Sequence, residues 1–434
     1  MKALISWMSD QHKGFELLAS TGRAAKILSN KTDCIAKTVH SCIYKFSDFN
    51  QDIEHVVNQI DKSNGVDETG QLLLQFEALN AKNDGYDNKT YIVDESSMVS
   101  DFAERNPTQA IFGSGKLLSD LLAYDTKGRY VFVGDACQLP PISQTFSPAL
   151  SKLYLEMTHS LASQQATLNE IVRQHDGNDI VMAATRMRAL YQNPPQLKWG
   201  KFPFRGYRNI QIHASQFAFI NAYINNVKER GFNATTLICG SNKDCNTLTS
   251  IVRPALGFHS PTLEKGELLL VTQNNGLSRL MNGDLVKVLF TERRIRRAGL
   301  TFLYVEVEEM VTRRTTSLML IEDILYSGAT NLSQEQQKAL FIDFYRRMRE
   351  QKIRQNTKEF QNALFTDPFL NALRAVYGYA LTCYKAQGGE WEDVYLNIPR
   401  RLSSAPKRPV YQWLYTAMTR ASERLHISDD FFIT

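Results

Sequence analysis

Two short apolar runs, each followed at once by polar residues, constrain the fold of this chain more than any other feature. Tyr91-Ile92-Val93 leads into Asp94-Glu95, and Val131-Phe132-Val133 leads into the segment GDACQLPP at positions 134–141. A helical pattern lies between the two runs, and runs this short are typical of buried strands in a parallel sheet. The sequence therefore predicts an α/β fold built on parallel sheets.

Asp94 and Glu95 form an acidic pair at the exit of the first of these strands. Two neighbouring carboxylates repel each other unless they share a cation or a proton. In phosphoryl transfer the first acid can hold Mg²⁺, and the second can orient or deprotonate the attacking water. Acid pairs also follow strands by chance, so this pair alone is a weak signal of function.

The segment GDACQLPP is a more specific signal. It opens with Gly134-Asp135, and the amide of Gln138 can contact both a γ-phosphate and the water that attacks it. The structural alternative is a turn that uses glycine and proline only for their backbone angles. The position of the segment 40 residues after Asp94 favours function.

Length and charge set broad limits. The 434 residues are enough for two or three domains, and the net charge of +5 permits an anionic partner without requiring one. Basic residues cluster in three runs: Arg293, Arg294, Arg296 and Arg297; Arg346, Arg347, Arg349, Lys352 and Arg354; Arg400, Arg401, Lys407 and Arg408. Most such runs are solvated surfaces, and the functional alternative is contact with a phosphate backbone.

Cysteine spacing and hydropathy indicate the compartment. The six cysteines include no CxxC pair and no histidine partner at zinc-ligand spacing. The sequence also has no charged-then-apolar leader and no apolar run of ~18 residues. We therefore expect a cytoplasmic protein with reduced cysteines that does not cross a membrane.

Two further segments resemble phosphate-contacting loops. The segment STGRAAK at 20–26 follows a predicted strand, and its amides and Arg23 could hold a phosphate of a bound strand. A capped helix start explains its first three residues equally well. The segment GSGK at 113–116 ends like a phosphate-binding loop, but Leu117 replaces the Ser or Thr that would coordinate Mg²⁺. A phosphate role at 113–116 is therefore disfavoured.

Taken in order, these motifs resemble those of superfamily 1 DNA helicases of the RecD-like, 5′-to-3′ branch. The segment TCYKAQG at 382–388 and the segment YTAMTR at 415–420 complete the series. The resemblance covers nearly the whole chain, and it implies two RecA-like domains that hold ATP between them and step along single-stranded DNA.

The resemblance implies roles for individual residues. The implied catalytic residues are Glu95 as base, Gln138 as γ-phosphate sensor, and Arg173 and Arg420 as arginine fingers. The implied nucleotide-binding residues are Asp94, Asp135, Gln387 and Gly388, with Asp94 also the Mg²⁺ ligand. The implied DNA-binding residues are Thr21, Gly22, Arg23, Thr38, His40, Ser241, Asn242, Thr382, Tyr384 and Lys385. Tyr384 stands where the family usually has histidine, and tyrosine can still stack on a base.

The resemblance also implies domain boundaries. The first RecA-like domain covers 1–172, with a small insertion at about 43–90, and the second covers 173–261 plus 376–434. Residues 262–375 form an inserted SH3-like β module with an Asn282-Gly283-Asp284 turn, together with charged helices.

One expected motif is absent: no segment of the form GxxxxGK[ST] occurs in the sequence. Met1–Ser9 reads as the helix that follows such a loop. We therefore expect the first RecA-like domain to be incomplete at its N-terminus, with the loop lying upstream of Met1. Without the loop, binding of the β- and γ-phosphates is weakened, and we expect ATP turnover by the 434 residues to be impaired.

The sequence leaves two functions open. The first is an ATP-dependent DNA helicase or translocase that uses ATP and Mg²⁺, acts on single-stranded DNA and is expected to be a monomer. The alternative is a non-catalytic DNA-binding or scaffold protein derived from a helicase. A non-motor NTPase or kinase is disfavoured, because it does not need the motifs at 382–388 and 415–420.

Overall fold

The computed structural model describes residues 1–62, 69–81, 88–103, 110–168 and 178–434. The chain forms two compact units. Unit 1 comprises Met1–Asp94, Val99–Val133 and Glu264–Val376. Unit 2 comprises Glu95–Met98, Gly134–Leu263 and Tyr377–Thr434.

The strands and helices follow in chain order. The strands are β1 (Phe15–Ala19), β2 (Ala36–Thr38), β3 (Tyr44–Phe49), β4 (Leu74–Ala78), β5 (Thr90–Asp94), β6 (Ala110–Phe112), β7 (Arg129–Phe132), β8 (Ile210–His213), β9 (Thr235–Cys239), β10 (Leu268–Val271), β11 (Leu285–Arg297), β12 (Leu300–Glu309), β13 (Thr315–Ile321), β14 (Ala375–Tyr377), β15 (Leu381–Thr382), β16 (Trp391–Leu396) and β17 (Ala421–Ser428). The helices are α1 (Lys2–Asp10), α2 (Gly22–Thr32), α3 (Val39–Ile43), α4 (Ile53–Lys62), α5 (Leu117–Tyr124), α6 (Lys152–His159), α7 (Ile180–Gln192), α8 (Gln216–Ala234), α9 (Asn242–Ala255), α10 (Asp323–Ser327), α11 (Gln334–Glu350), α12 (Lys358–Thr366), α13 (Cys383–Ala386), α14 (Arg401–Ser404) and α15 (Lys407–Met418).

A four-stranded sheet in the order β2-β1-β5-β7 carries the first predicted motifs in unit 1. All of its neighbours are parallel, with Leu18 opposite Val93 and Val93 opposite Phe132. Leu18, Ile92 and Val93 have no exposed surface, because the inner strands β1 and β5 are covered on both faces. The prediction of parallel strands around 91–93 and 131–133 is confirmed, with observed bounds of Thr90–Asp94 and Arg129–Phe132.

A second sheet in unit 1 forms the predicted β module. Its order is β13-β12-β11-β10-β14, and the pairs from β10 to β13 are antiparallel. A third sheet, in the order β3-β4-β6, lies in the segment predicted as a small insertion and just beyond it. One buried apolar cluster joins this insertion to the module, with members such as Phe49, Ile53, Phe302 and Phe341.

Unit 2 is built on a five-stranded parallel sheet in the order β15-β9-β16-β17-β8. The strands β9 and β16 are buried over most of their length, as expected for the inside of such a sheet. The predicted α/β class, with two parallel-sheet domains and a β module, is therefore confirmed. The SH3-like character of the module stays a prediction.

The compact units group the chain differently from the predicted domain boundaries. Residues 134–168 belong with unit 2, although 1–172 was predicted as one domain. Residues 264–376 belong with unit 1, because the module shares its apolar core with the insertion at 43–90.

None of the helices in the described part of the chain combines the length and apolar character needed to cross a bilayer.

Candidate nucleotide and nucleic-acid site

The acidic pair lies at the carboxyl end of β5, as predicted. Asp94 is half-buried and its backbone carbonyl accepts a hydrogen bond of 3.4 Å from the amide of Ser20. Glu95 has φ +50°, in the left-handed region, and its carbonyl accepts from the amide of Met98 at 3.2 Å. A non-glycine residue in this region costs ~1 kcal/mol or more, and such strained residues cluster at functional sites.

Gly134 lies against the turn that follows Glu95. A Cβ atom added to Gly134 would lie 3.1 Å from the amide nitrogen of Ser97 and 3.2 Å from that of Ser96. One residue earlier, the amide of Val133 donates to the carbonyl of Val93 at 2.8 Å. A side chain at 134 would therefore crowd the backbone here, which explains the glycine in the GDACQLPP segment.

The loop at 134–141 is held by α15 within unit 2. The Tyr415 hydroxyl donates to Asp135 Oδ2 at 2.5 Å, and burial together with this carboxylate raises the pKa of Tyr415. The Gln412 side-chain amide donates to the carbonyl of Gln138 at 2.7 Å. The amide of Leu139 donates to the Thr416 hydroxyl at 2.9 Å. The predicted segments at 134–141 and 415–420 are thus in direct contact.

The sequence reasoning missed Gln412, Tyr415 and Thr416 as the anchors of this loop. Their spacing of i, i+3 and i+4 places them on one face of a helix. They are polar residues in a helix whose other buried residues are apolar or aromatic. A buried polar face of this kind was the available signal, because buried polar groups need partners.

Several buried side-chain oxygens in unit 2 have no hydrogen-bond partner within the described ranges, and two of them belong to predicted site residues. These two are Oε1 of Gln138 and Oε1 of Gln387, and both atoms are buried. The Gln387 amide nitrogen lies 3.5 Å from the carbonyl of Leu139, so both glutamines belong to the same loop contact. A buried acceptor without a donor costs ~1–3 kcal/mol, so both oxygens are available to accept a hydrogen bond from a bound group.

Arg420 is 1% exposed and is fixed inside unit 2. Its guanidinium donates to the carbonyl of Thr416 at 3.1 Å and to the carbonyl of Gly389 at 3.4 Å. These bonds join α15 to the segment at 382–389. Arg173, the other predicted finger, lies outside the described residues. The finger role of both arginines stays a prediction.

The segment at 382–388 forms the short helix α13 and the turn after it. Gly388 has φ +75°, which favours glycine at this turn. Burial lowers the pKa of Lys385 to about 8, and burial is the main cause that raises the pKa of Tyr384. Thr382 precedes the helix as its N-cap residue.

The predicted strand-contacting residues near β1 are engaged within unit 1. Thr21 caps α2 by accepting from the amide of Ala24 at 3.2 Å. Arg23 is 9% exposed and its guanidinium donates to the carbonyl of Gly283 at 3.1 Å. A Cβ atom at Gly22 would lie 2.5 Å from the side chain of Met281.

The remaining predicted strand-contacting residues open helices. Thr38 caps α3 by accepting from Ser41, and Ser241 caps α9 by accepting from Asp244, whereas Asn242 is exposed. The His40 ring lies 5.2 Å from that of Phe112, and burial lowers the pKa of His40. We retain the DNA-binding roles of these residues as proposals.

The GSGK segment at 113–116 already binds a carboxylate of the same chain, that of Asp120. Asp120 accepts from the Ser114 amide at 2.9 Å, from the Ser114 hydroxyl at 2.6 Å and from the Tyr44 hydroxyl at 2.7 Å. A Cβ atom at Gly113 would lie 2.3 Å from the same carboxylate. A carboxylate in this position repels phosphate, which agrees with the interpretation from sequence.

Many of the residues in the three basic runs form ion pairs. Examples are Arg294 with Glu322, Arg297 with Asp343, Arg346 with Asp61, Arg400 with Asp430 and Arg401 with Asp244.

Within the described ranges, no group of three or more His, Cys, Asp or Glu side chains is arranged to hold a metal ion. Mg²⁺ commonly binds through one or two carboxylates and substrate phosphates, so the acidic end of β5 still fits it.

Comparison with known proteins adds two family matches. Residues 377–428 match the UvrD-like helicase C-terminal domain, and residues 1–193 match an AAA domain. A curated relative, the uncharacterized protein R530 of Acanthamoeba polyphaga mimivirus, is 26% identical over 119 residues, or 27% of this chain and 24% of that protein. The match thus spans about a quarter of the length of that relative.

Several solved structures are also similar. Pif1 helicase from Bacteroides in complex with ADP-AlF3 and ssDNA has a TM-score of 0.44 and 14% identity, covering 96% of this chain and 83% of that one. Bacteroides Pif1 bound to ssDNA has a TM-score of 0.45 and 14% identity, covering 99% and 86%. Pif1 helicase from Candida albicans has a TM-score of 0.38 and 15% identity, covering 99% and 87%.

The two family matches lie in the order that the motifs predict, with the AAA domain first and the helicase C-terminal domain last. They confirm the predicted resemblance to a helicase at 377–428, and the assignment to the RecD-like branch stays a proposal.

Proposed function

We propose that this chain is the motor of an ATP-dependent DNA helicase or translocase that moves 5′ to 3′ on single-stranded DNA. The observation that carries the proposal is the loop at 134–141. It is anchored on α15, and it presents the buried, unpartnered Oε1 atom of Gln138. An amide in this state can accept a hydrogen bond from a water and donate one to a phosphate oxygen.

The residues divide the chemistry of hydrolysis among them. MgATP, when bound, supplies the γ-phosphoryl group and the metal ion. Asp94 would hold the ion, and Glu95 would take the proton of the attacking water. Gln138 would orient that water through its amide oxygen. Arg420 and Arg173 would offset negative charge on the phosphoryl oxygens.

The residues fit the metal ion and the attacking water better than they fit the β- and γ-phosphates. The carboxylates of Asp94 and Glu95 suit Mg²⁺, and the side-chain oxygen of Gln138 suits the water. The sequence contains no GxxxxGK[ST] segment for the β- and γ-phosphates, and Asp120 fills the segment at 113–116. This disparity is the reason to keep a non-catalytic DNA-binding or scaffold protein as the alternative function.

Strand separation by the full-length protein distinguishes the two functions. The substrates are duplexes with a single-stranded tail at either the 5′ or the 3′ end, with ATP and Mg²⁺ present. A helicase of this branch separates the 5′-tailed duplex, and Glu95→Gln binds the tail without separating the strands. Tail binding without strand separation by the unsubstituted protein would establish the non-catalytic alternative. A monomeric state and a cytoplasmic location are further parts of the proposal.

A further inference from the structure

Unit 1 contains a cleft of about 200 Å³ that the proposed chemistry does not use. Lys26 of α2 lines one side of it. Arg279, in the loop before β11, and Arg314, in the turn before β13, line the other parts. Three cationic side chains therefore surround a cavity large enough for a phosphate group.

Lys26 is held in place beside this cleft by two carboxylates. Its Nζ atom lies 2.5 Å from Asp284 Oδ2 and 3.6 Å from Glu309 Oε1. Burial raises the pKa of the Asp284 carboxyl, and the neighbouring lysine opposes that rise. Glu309 also accepts from the hydroxyl of Thr312. Both carboxylates are thus engaged, and neither is left to repel an incoming anion at full strength.

The two arginines are exposed, and their positive charges are uncompensated. In the part of the chain that the structure describes, neither guanidinium takes part in an ion pair or a side-chain hydrogen bond. By contrast, Arg313, next to Arg314, pairs with Glu308 at 3.1 Å. Arg279 also has φ +58°, a strained conformation for a non-glycine residue and one found often at functional positions.

The donors around the cleft match a phosphate group. Guanidinium groups bind phosphate oxygens through paired N–H donors, and hydroxyls such as that of Thr316 add neutral donors. The net charge around the cleft is positive. Its three cationic side chains, Lys26, Arg279 and Arg314, outnumber the two carboxylates of Asp284 and Glu309.

The cleft continues from the predicted strand-contacting segment at 20–26. Gly22 and Lys26 are four residues apart on α2 and therefore lie on one face of the helix. Gly22 approaches Met281, and Lys26 pairs with Asp284, so the same turn of the module covers this face. Arg279 precedes that turn by two residues.

We infer that this cleft binds a phosphate group of a single-stranded nucleic acid through Arg279 and Arg314, with the anchored Lys26 as a third lining cation. This inference rests on the proposed function, because it takes the bound strand as the source of the phosphate. A free phosphate is the other possible source of the same chemistry.

The test compares Arg279→Gln, Arg314→Gln and the double variant with Arg313→Gln as the matched control. All of these positions are exposed, and each single variant removes one positive charge. The measurement is the affinity for oligo-dT as a function of salt concentration. Each phosphate contact contributes about 0.7 to the slope of log affinity against log salt, so each cleft variant should lower the slope by about that amount. Arg313→Gln should leave the slope unchanged.

A second arm measures the binding of inorganic phosphate and pyrophosphate to the same variants. If the parent binds oligo-dT and all the variants keep its slope, the inference fails while the proposed function stands. If the parent binds pyrophosphate through the two arginines but binds no oligo-dT, the proposed function fails and a free phosphate is the ligand. If neither ligand depends on the arginines and oligo-dT does not bind, both are overturned.

Discussion

The backbone of Gln138 is anchored, whereas its side-chain oxygen has no partner among the described residues. Its carbonyl accepts from Gln412, which fixes the loop, while its Oε1 atom is buried without a partner among the described residues. The sequence predicted the role of Gln138 from the strand that precedes it and the prolines that follow it. It could not predict the anchoring residues, since they come from a helix more than 270 residues later in the chain.

Tyr415→Phe tests whether the anchoring of the loop matters for function. The change removes the hydroxyl that donates to Asp135 at 2.5 Å, and we expect a stability loss of about 1 kcal/mol. We also expect reduced strand separation, because the loop that carries Gln138 is less firmly held. The control is Tyr304→Phe in β12, whose hydroxyl has no hydrogen bond within the described ranges. Equal effects of the two substitutions on strand separation would refute the anchoring role.

We expect the titration of Lys385 to lower DNA affinity and to raise the stability of the folded protein as the pH increases. Its pKa is about 8 in the folded protein because burial disfavours the charged form, against 10.5 for an unperturbed lysine. Above about pH 8 the side chain loses its charge, so affinity for single-stranded DNA should fall between pH 7 and pH 9. The unfolded chain binds more protons from pH 8 to 10.5, so stability should rise over that range.

Lys385→Arg and Lys385→Met supply the controls for this prediction. Arginine keeps its charge throughout, so DNA affinity should no longer fall with pH in that variant. Methionine has no titrating group, so both pH dependences should disappear. Fluorescence anisotropy with a labelled oligonucleotide and urea unfolding measure the two quantities. A pH profile of affinity that survives Lys385→Met would assign the titration to another group.

Among the helices, α2 shows which features local sequence can predict and which it cannot. The helix start at Thr21 could be predicted from the Ser-Thr-Gly sequence, and the structure has the corresponding cap. The burial of Arg23 against Gly283 could not, because the two residues are 260 positions apart. Local patterns determine where a helix begins, whereas tertiary packing decides which of its residues remain accessible.

Gly22→Ala tests the contact between α2 and the module. The new Cβ atom would lie 2.5–2.7 Å from three atoms of the Met281 side chain, so the helix or the turn must shift. Overpacking of this kind typically costs about 1–3 kcal/mol. Gly276→Ala is the matched control, because nothing lies within 4 Å of its added Cβ atom.

Met281→Ala should partly restore the stability lost in Gly22→Ala, because it removes the atoms that clash. Chemical denaturation of the two single variants and the double variant gives the coupling between the positions. Strictly additive effects would mean that the two residues do not press on each other.

At the scale of the whole molecule, the sequence predicted the parallel sheets but not how the segments combine into compact units. Apolar runs and turn signals are local, so β5 and β7 could be placed from the sequence. The joint core of the insertion and the module depends on contacts between residues such as Phe49 and Phe341, which are 292 positions apart. Periodicity carries no information about which apolar faces meet.

The shared core predicts that the insertion and the module unfold together. Phe302 has no exposed surface, and Phe302→Ala should cost about 3–5 kcal/mol. Because one cluster stabilises both segments, the amides of β3 and β4 should lose protection in parallel with those of β12 and β13. Native-state hydrogen exchange measures this protection. Loss confined to the module would contradict a common core.

We propose that the acidic end of β5 and the loop at 134–141 form the hydrolytic part of a DNA-dependent motor. The most direct test is the rate of ATP hydrolysis by the full-length protein, with and without single-stranded DNA, compared with Glu95→Gln. Our account predicts hydrolysis that DNA stimulates and that Glu95→Gln abolishes while DNA affinity is retained. Tight DNA binding without any hydrolysis, or hydrolysis that Glu95→Gln leaves intact, would contradict it.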